Sequence, residues 1–134
     1  MRILIIDGQG GKLGRQLVEK CMAAKGSQDR VIAVGTNAIA TACMLKADPD
    51  EAATGENAIA VCARRADVIC GPVGIVIADA MNGEITAGAA AAVGQADARR
   101  ILIPVNKCDT TVVGVTKTMG ELVEEAARAI LERE

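Results

Sequence analysis

The chain has 134 residues, 51% of them hydrophobic and 24% charged, with 15 basic against 17 acidic side chains for a formal net charge of -2. That is the length of one ordinary domain with enough apolar side chains for a core, and the charge balance lacks the basic excess that binding to nucleic acid or an anionic membrane surface calls for. There is no His, Trp, Tyr or Phe and a single serine, Ser27. This excludes a histidine base or metal ligand, a serine–histidine nucleophile, a tyrosine acid and, within one subunit, aromatic stacking on a base or flavin ring.

Ile3 to Ile6 is an unbroken β-branched and Leu run ending at Asp7, the pattern of a strand buried on both faces of a parallel sheet. Glycines follow at 8, 10, 11 and 14, and Leu13, Leu17, Val18, Cys21 and Met22 then recur at helical spacing, which predicts a helix to about Lys25. After a polar turn, Arg30 to Val34 is the second strand, ending at Gly35. Strand, helix and strand in this order form a right-handed βαβ unit. Asn37 is placed to cap a helix carrying Ile39, Ala42, Cys43 and Leu45, which Asp48-Pro49-Asp50 breaks. Gly35-Thr36-Asn37-Ala38-Ile39-Ala40 returns as Gly55-Glu56-Asn57-Ala58-Ile59-Ala60, a repeated helix start whose second copy runs to about Arg65.

Asp67 to Cys70 is a third short strand leading into Gly71-Pro72-Val73-Gly74. Residues 75–80 are compatible with helix or with extended chain. Asn82-Gly83 is a turn, Thr86 opens an alanine-rich helix to about Ala96, and Ile101 to Val105 is the fourth strand. Thr111 to Val115 follows too soon for a parallel crossover, which predicts an antiparallel edge strand. Thr118 with Glu121 is a capping box for a final helix whose buried stripe is Met119, Leu122, Val123, Ala126 and Ile130. No linker or low-complexity tract divides the chain. The prediction is a single α/β domain over residues 1–134: a three-layer Rossmann-like sandwich, its mostly parallel sheet in the order 2-1-3-4 with an antiparallel edge strand added.

Cysteines at 21, 43, 62, 70 and 108 include no C-x-x-C pair, so zinc and thioredoxin-type chemistry are not expected and no metal site is predicted. They read as buried thiols acting as small hydrophobes, with Cys70 and Cys108 set apart by their position at strand ends. The N-terminal apolar run is too short for a signal peptide or a membrane span, and a cytoplasmic protein is expected.

Chemistry concentrates in Asp7-Gly8-Gln9-Gly10-Gly11-Lys12-Leu13-Gly14-Arg15. Glycines at 8, 11 and 14 spell G-x-x-G-x-x-G, a relative of the dinucleotide fingerprint. Glycine lets the chain turn off the strand, lets backbone N–H groups approach a phosphate, and lets helix pack on strand, while the helix N-terminus favours an anion. The same glycines also serve a tight, close-packed turn that binds nothing. The loop is not a P-loop, because Leu13 stands where a metal-binding hydroxyl is needed. Nor does the end of the second strand carry the acidic residue that binds a ribose in NAD sites: Gly35-Thr36-Asn37 stands there. NADP, a mononucleotide or a small phosphorylated metabolite remains open.

In the predicted topology the other loops of this edge are Gly35-Thr36-Asn37, Gly71 to Gly74 and Asn106-Lys107. The candidate ligand-binding residues are therefore Gly8, Gln9, Gly10, Gly11, Lys12, Gly14, Thr36, Asn37, Gly71, Pro72 and Gly74. Residues 54–57 and 79–84 supply the polar groups that would complete a pocket. Asp79, Glu84, Glu56 and Lys107 are the acid/base candidates, though such residues are more often solvated surface charges.

Ile5-Ile6-Asp7-Gly8-Gln9-Gly10-Gly11, Gly35-Thr36-Asn37-Ala38, Ala53-Thr54-Gly55-Glu56-Asn57-Ala58, Gly71-Pro72-Val73-Gly74-Ile75 and Gly83-Glu84-Ile85-Thr86 together resemble the signature blocks of a small bacterial family, domain of unknown function 3842. The resemblance spans nearly the whole chain. It implies a bacterial, stand-alone, cytoplasmic protein and brings no activity, substrate or catalytic residue with it. The glycine loop separately resembles those of Rossmann-type nucleotide-binding proteins, over the first βαβ unit only; the reductases of that class that use a Tyr–Lys pair would need a tyrosine.

Three readings follow. The first is a sensor or regulatory module that binds a nucleotide, a dinucleotide of NAD(P) type or a phosphorylated small molecule. The second is a small nucleotide-dependent enzyme completed by a second subunit. The third is a structural protein without a ligand. Homo-oligomerisation, as a dimer, is expected because alanine-rich faces without aromatics bury little area per residue.

Overall fold

The computed structural model describes residues 1–105 and 109–132. Strand β1 (Arg2–Asp7) lies at the centre of a sheet. It is flanked by β2 (Arg30–Gly35) and β4 (Val68–Pro72), with β3 (Glu51–Thr54) outside β2 and β5 (Arg99–Ile103) outside β4. All neighbouring strands are parallel, with Ile3 opposite Val31 on one side and Val68 on the other. Helices α1 (Lys12–Ala24), α2 (Ala38–Leu45), α3 (Glu56–Arg65), α4 (Ala87–Gln95) and α5 (Met119–Leu131) connect or follow the strands.

The side-chain period of two along each strand sorts the core into two layers. Ile3 and Ile5 of β1, with Val31, Ala33, Val68 and Cys70, pack against Leu17, Val18 and Cys21 of α1, Met44 of α2, and Val123, Ala126 and Ile130 of α5. Leu4 and Ile6 turn the other way and, with Ile32, Val34 and Ile69, meet Ile59 and Ala63 of α3 and Ala89, Ala90 and Val93 of α4. Ile3, Leu4, Ile5 and Ile6 are at most 1% exposed, each contributing about 2 kcal/mol by burial. A strand apolar on both faces is what a covered parallel sheet demands. The three-layer α/β sandwich is therefore the fold.

The predicted order 2-1-3-4 corresponds to β2-β1-β4-β5 and stands. The outer strands differ from prediction. β3 joins the sheet through Glu51-Ala52-Ala53-Thr54, a segment with little β-propensity, on a half-exposed edge where propensity counts for less than pairing with β2. Residues 111–115, the expected antiparallel edge strand, form no strand. Gly114 sits there at φ +84°, in a turn, and Val113 is 89% exposed. β-branched residues favour a strand only when a neighbouring backbone is in register to receive them.

Of residues 75–80, left open between helix and strand in sequence, 75 and 76 end a 3-10 turn over Val73–Val76 and 77–80 form a bend and turns. Asn37 and Thr86 accept hydrogen bonds from the amides of Ala40 and Ala89 as helix caps, and Thr118 with Glu121 forms the reciprocal capping box. Among the described residues no helix is long and apolar enough to cross a membrane.

The chain moves outward from β1 to β2 to β3, then returns past β1 to β4 and on to β5. This reversal between β1 and β4 opens a crevice at the carboxyl ends of those two strands, the place where open α/β sheets hold ligands.

Candidate functional site

The glycine loop starts on a buried carboxylate. Asp7, 6% exposed at the end of β1, accepts the Gly8 amide at 2.8 Å and the Gly14 amide at 2.7 Å. Gly14 is the third residue of α1, so Asp7 does for this helix what a capping side chain does elsewhere; the residue at the cap position is Gly11, which has no side chain to offer. Gly11 is at φ +75°, and a Cβ there would lie 2.6 Å from the carbonyl oxygen of Ala40. At Gly14 a Cβ would lie 2.7 Å from the Asp7 Cβ and 2.6 Å from the Met44 sulfur. Both glycines serve close packing of α1 against β1 and α2.

The Gly11 amide donates to the Gly8 carbonyl at 3.0 Å, and the Gln9 amide donates to Glu84 at 2.8 Å. Gly10, Lys12 and Leu13 keep amides with no acceptor among the described residues. Among the described residues the Lys12 and Leu13 donors in the first turn of α1 thus have no protein acceptor, at the positive end of the helix dipole.

These amides border a cavity of about 370 Å³ beyond β1 and β4. Asp7, Gly8, Gln9, Gly10 and Gly11 form its floor, and Lys12, Leu13 and Gln16 of α1 one wall. Pro72, Gly74, Met81, Val105 and Met119 complete it with mainly apolar surface. Its size lies at the small end of the range for ligand sites, and apolar walls with a few convergent polar groups are their usual make-up. Lys12 is exposed and makes no ion pair with a described residue.

Of the residues singled out in sequence, Gly8, Gln9, Gly10, Gly11, Lys12, Pro72 and Gly74 line this cavity; Gly14, Thr36, Asn37 and Gly71 do not. Gly14 is taken up in packing, and at Gly71 a Cβ would lie 2.3 Å from the carbonyl oxygen of Ile6, so that glycine serves strand packing as well. Leu13 and Gln16 were legible as one more turn of the α1 face, whereas Met81, Val105 and Met119 reach the cavity from distant segments that carry no sequence signal for it.

Thr36 and Asn37 bind a protein carboxylate instead. The Thr36 hydroxyl donates to Glu84 Oε1 at 2.6 Å, the Asn37 side-chain amide donates to the same oxygen at 2.7 Å, and the Gln9 amide is its third donor. Burial raises the pKa of Glu84, but the hydrogen bonds from Thr36, Gln9 and Asn37 outweigh it and hold the carboxyl below its ordinary value. A carboxylate from a loop far away in sequence thus stands at the end of β2.

Of the other acid/base candidates, Glu56 accepts from the Thr86 hydroxyl at 2.7 Å and ties α3 to α4. Thr54 bonds Thr41 at 2.7 Å. Asp79 lines a second, more open cleft of about 420 Å³ together with Gln9, Met81, Asn82 and Asp109, all of them at left-handed φ. Asn106, Lys107 and Cys108 lie outside the described residues. Burial pushes the Cys21 thiol up to about 12 and the Cys70 thiol also upward, which leaves both as inert core groups. Among the described residues no cluster of potential metal ligands occurs.

Fold and site together define a doubly wound α/β protein with a ligand-sized cavity at its topological switch point. More particularly, the chain belongs to the family described as Domain of unknown function (DUF3842), which matches residues 2–134. No curated protein matches it in sequence. Among solved structures it is similar to a dodecameric FMN-dependent UbiX-like decarboxylase from Escherichia coli O157:H7, at TM-score 0.53 and 14% identity, over 98% of this chain and 93% of that one. At that identity the similarity concerns the fold.

Proposed function

We propose that the protein binds a small anionic organic molecule, a nucleotide or other phosphorylated compound, in the cavity beyond β1 and β4, as a sensor or regulatory module. The observation that carries this reading is that Gly10, Lys12 and Leu13, whose amides have no acceptor among the described residues, line a cavity of about 370 Å³ with mainly apolar walls. A phosphate or carboxylate fits at those amides with the Lys12 ammonium beside it. The apolar part of the ligand fits between Leu13, Pro72, Met81, Val105 and Met119. The structural neighbour is FMN-dependent, which supports a flavin- or nucleotide-like ligand. A phosphate of that ligand would sit outside Asp7, whose carboxylate already holds the Gly8 and Gly14 amides. No aromatic ring is available in this chain to stack on a flavin; Met81 and Leu13 would cover it instead.

Met119 is 39% exposed at the cavity and Val112, Val113 and Val115 are exposed just before it in the chain. This favours, as a second reading, an enzyme whose site a neighbouring subunit completes. The dodecameric neighbour supports homo-oligomerisation of this chain too.

The test is thermal unfolding in the presence of FMN, NAD(P) and adenine nucleotides, since a ligand selective for the native state raises its stability. A hit should raise the midpoint in the wild type, by about 2.7 kcal/mol of stabilisation at a hundredfold excess over its dissociation constant, and Lys12→Ala should weaken it about tenfold. If no such compound shifts the midpoint, the flavin and nucleotide reading of the cavity is overturned.

A further inference from the structure

We propose that the Gln9 amide, the Thr36 hydroxyl and the Asn37 side-chain amide form a second oxyanion site, on the β2 side of the glycine loop, and that Glu84 is its displaceable internal occupant, yielding to a phosphate group. Three donors from two turns, Gln9 after β1 and the adjacent Thr36 and Asn37 after β2, meet on the single oxygen Oε1 of Glu84, at 2.8, 2.6 and 2.7 Å. Three convergent N–H and O–H groups form a pocket for one anionic oxygen. Asn37 is also the N-cap of α2, so the positive end of that helix dipole adds to the same point.

The occupant is held in a way that suits release. Glu84 is half-buried and, among the described residues, no hydrogen bond reaches its other oxygen, so its departure uncovers polar surface and leaves the core intact. It ends a loop in which Asp79, Met81 and Asn82 take left-handed φ of 67°, 60° and 56°, followed by Gly83 at 90°. Strain of this kind in residues with side chains persists only where the surroundings enforce it, and it gathers at clamps and switches.

The loop lies directly on the glycine turn. A Cβ at Gly8 would come within 2.5 Å of the Met81 sulfur, 2.8 Å of the Thr36 hydroxyl and 3.1 Å of Glu84 Oε1. Release of Glu84 therefore lifts the cover from Gly8. Met81 lines the cavity as well, so an anion seated on the donors in place of Glu84 widens the cavity toward β2. A ligand with two anionic or polar ends then reaches from α1 to the N-terminus of α2.

The experiment is a titration of isotope-labelled protein with inorganic phosphate and with adenosine 5′-monophosphate, following the Gln9 backbone amide and the Asn37 side-chain amide by NMR. Glu84→Ala vacates the donors and should bind phosphate at least about tenfold more tightly than the wild type, with both resonances shifting. Adding Thr36→Val should abolish most of that gain. A folded Glu84→Ala protein that binds no more tightly, or in which Gln9 and Asn37 stay unmoved, overturns the proposal. Should Glu84→Ala fail to fold, Glu84→Gln decides: it keeps an acceptor oxygen and loses the charge, so tighter phosphate binding than in the wild type supports the proposal and equal binding overturns it. The cavity reading stands or falls on wild-type ligand binding and Lys12→Ala, so the two can fail separately.

Discussion

Asp7 and Glu84 show how two carboxylates reshape a phosphate-type loop. Each places an oxygen on backbone amides of the loop and helix start that follow β1, Asp7 on Gly8 and Gly14, Glu84 on Gln9. The glycine pattern was legible in sequence, and so were its two uses. Which use each glycine serves depends on neighbours that arrive from elsewhere: Ala40 against Gly11, Met44 against Gly14 and Met81 against Gly8. Gly10 alone of the glycines at 8, 10, 11 and 14 has open space where a Cβ would be. Gly11→Ala should therefore lose about 2–4 kcal/mol, from a left-handed backbone and a clash with rigid main chain, while Gly10→Ala should stay within about 0.5 kcal/mol of the wild type. Urea unfolding midpoints of the two variants check this, and equal midpoints would contradict the packing described.

Glu84 also gives a pH signature at the residue scale. Its folded-state pKa lies below the ordinary 4.5, so its contribution to stability is complete above that value and is lost as pH falls through the lowered one. Glu84→Gln should be less stable than the wild type near neutrality, and the two should converge in acid. Comparing the pair isolates Glu84 from Glu121, Glu124 and Glu125, which are shifted in the same direction. A constant difference between the two proteins across the acid range would show that the charge contributes nothing.

At the scale of elements, the parts that were legible are those whose signal is local. The apolar run of β1 and the caps at Asn37, Thr86 and Thr118 depend on residues within a few positions of each other. The Thr118 capping box satisfies an amide at each end of its reciprocal pair, so Thr118→Ala should destabilise the protein by about 1 kcal/mol, seen as a lower urea midpoint with the same slope. Two strands were misjudged because an edge is a property of the sheet. Glu51–Thr54 becomes a strand by lying beside β2 in spite of its alanines, and Val112, Val113 and Val115, with better β-propensity, find no partner among the described residues. In the segment 77–84 the Asn82-Gly83 turn was legible, whereas Met81 at φ 60° could not be foreseen from a side chain that ordinarily avoids that region.

At the scale of the whole molecule, the cavity is assembled from the loop after β1, the end of β4, the 77–84 segment and the approach to α5. The exposed apolar residues Val112, Val113, Val115 and Met119 lie along that last approach. Light scattering should give a solution mass that is a multiple of the 13.7 kDa chain. A mass equal to one chain would remove the reading in which a second subunit completes the site.

By itself the sequence determined that the chain is an α/β layer structure with a glycine-rich turn after its first strand, because hydrophobic period, capping and turn chemistry act between near neighbours. It also excluded histidine, tyrosine and aromatic chemistry outright. Only the tertiary structure decided that Thr36 and Asn37 hold Glu84, that Asp7 caps α1, and that Met81, Val105 and Met119 close a cavity over the amides of Gly10, Lys12 and Leu13. The physical reason is that a hydrogen bond or a cavity wall requires only proximity in space, and the doubly wound topology brings residues together at one sheet edge that local pattern does not connect.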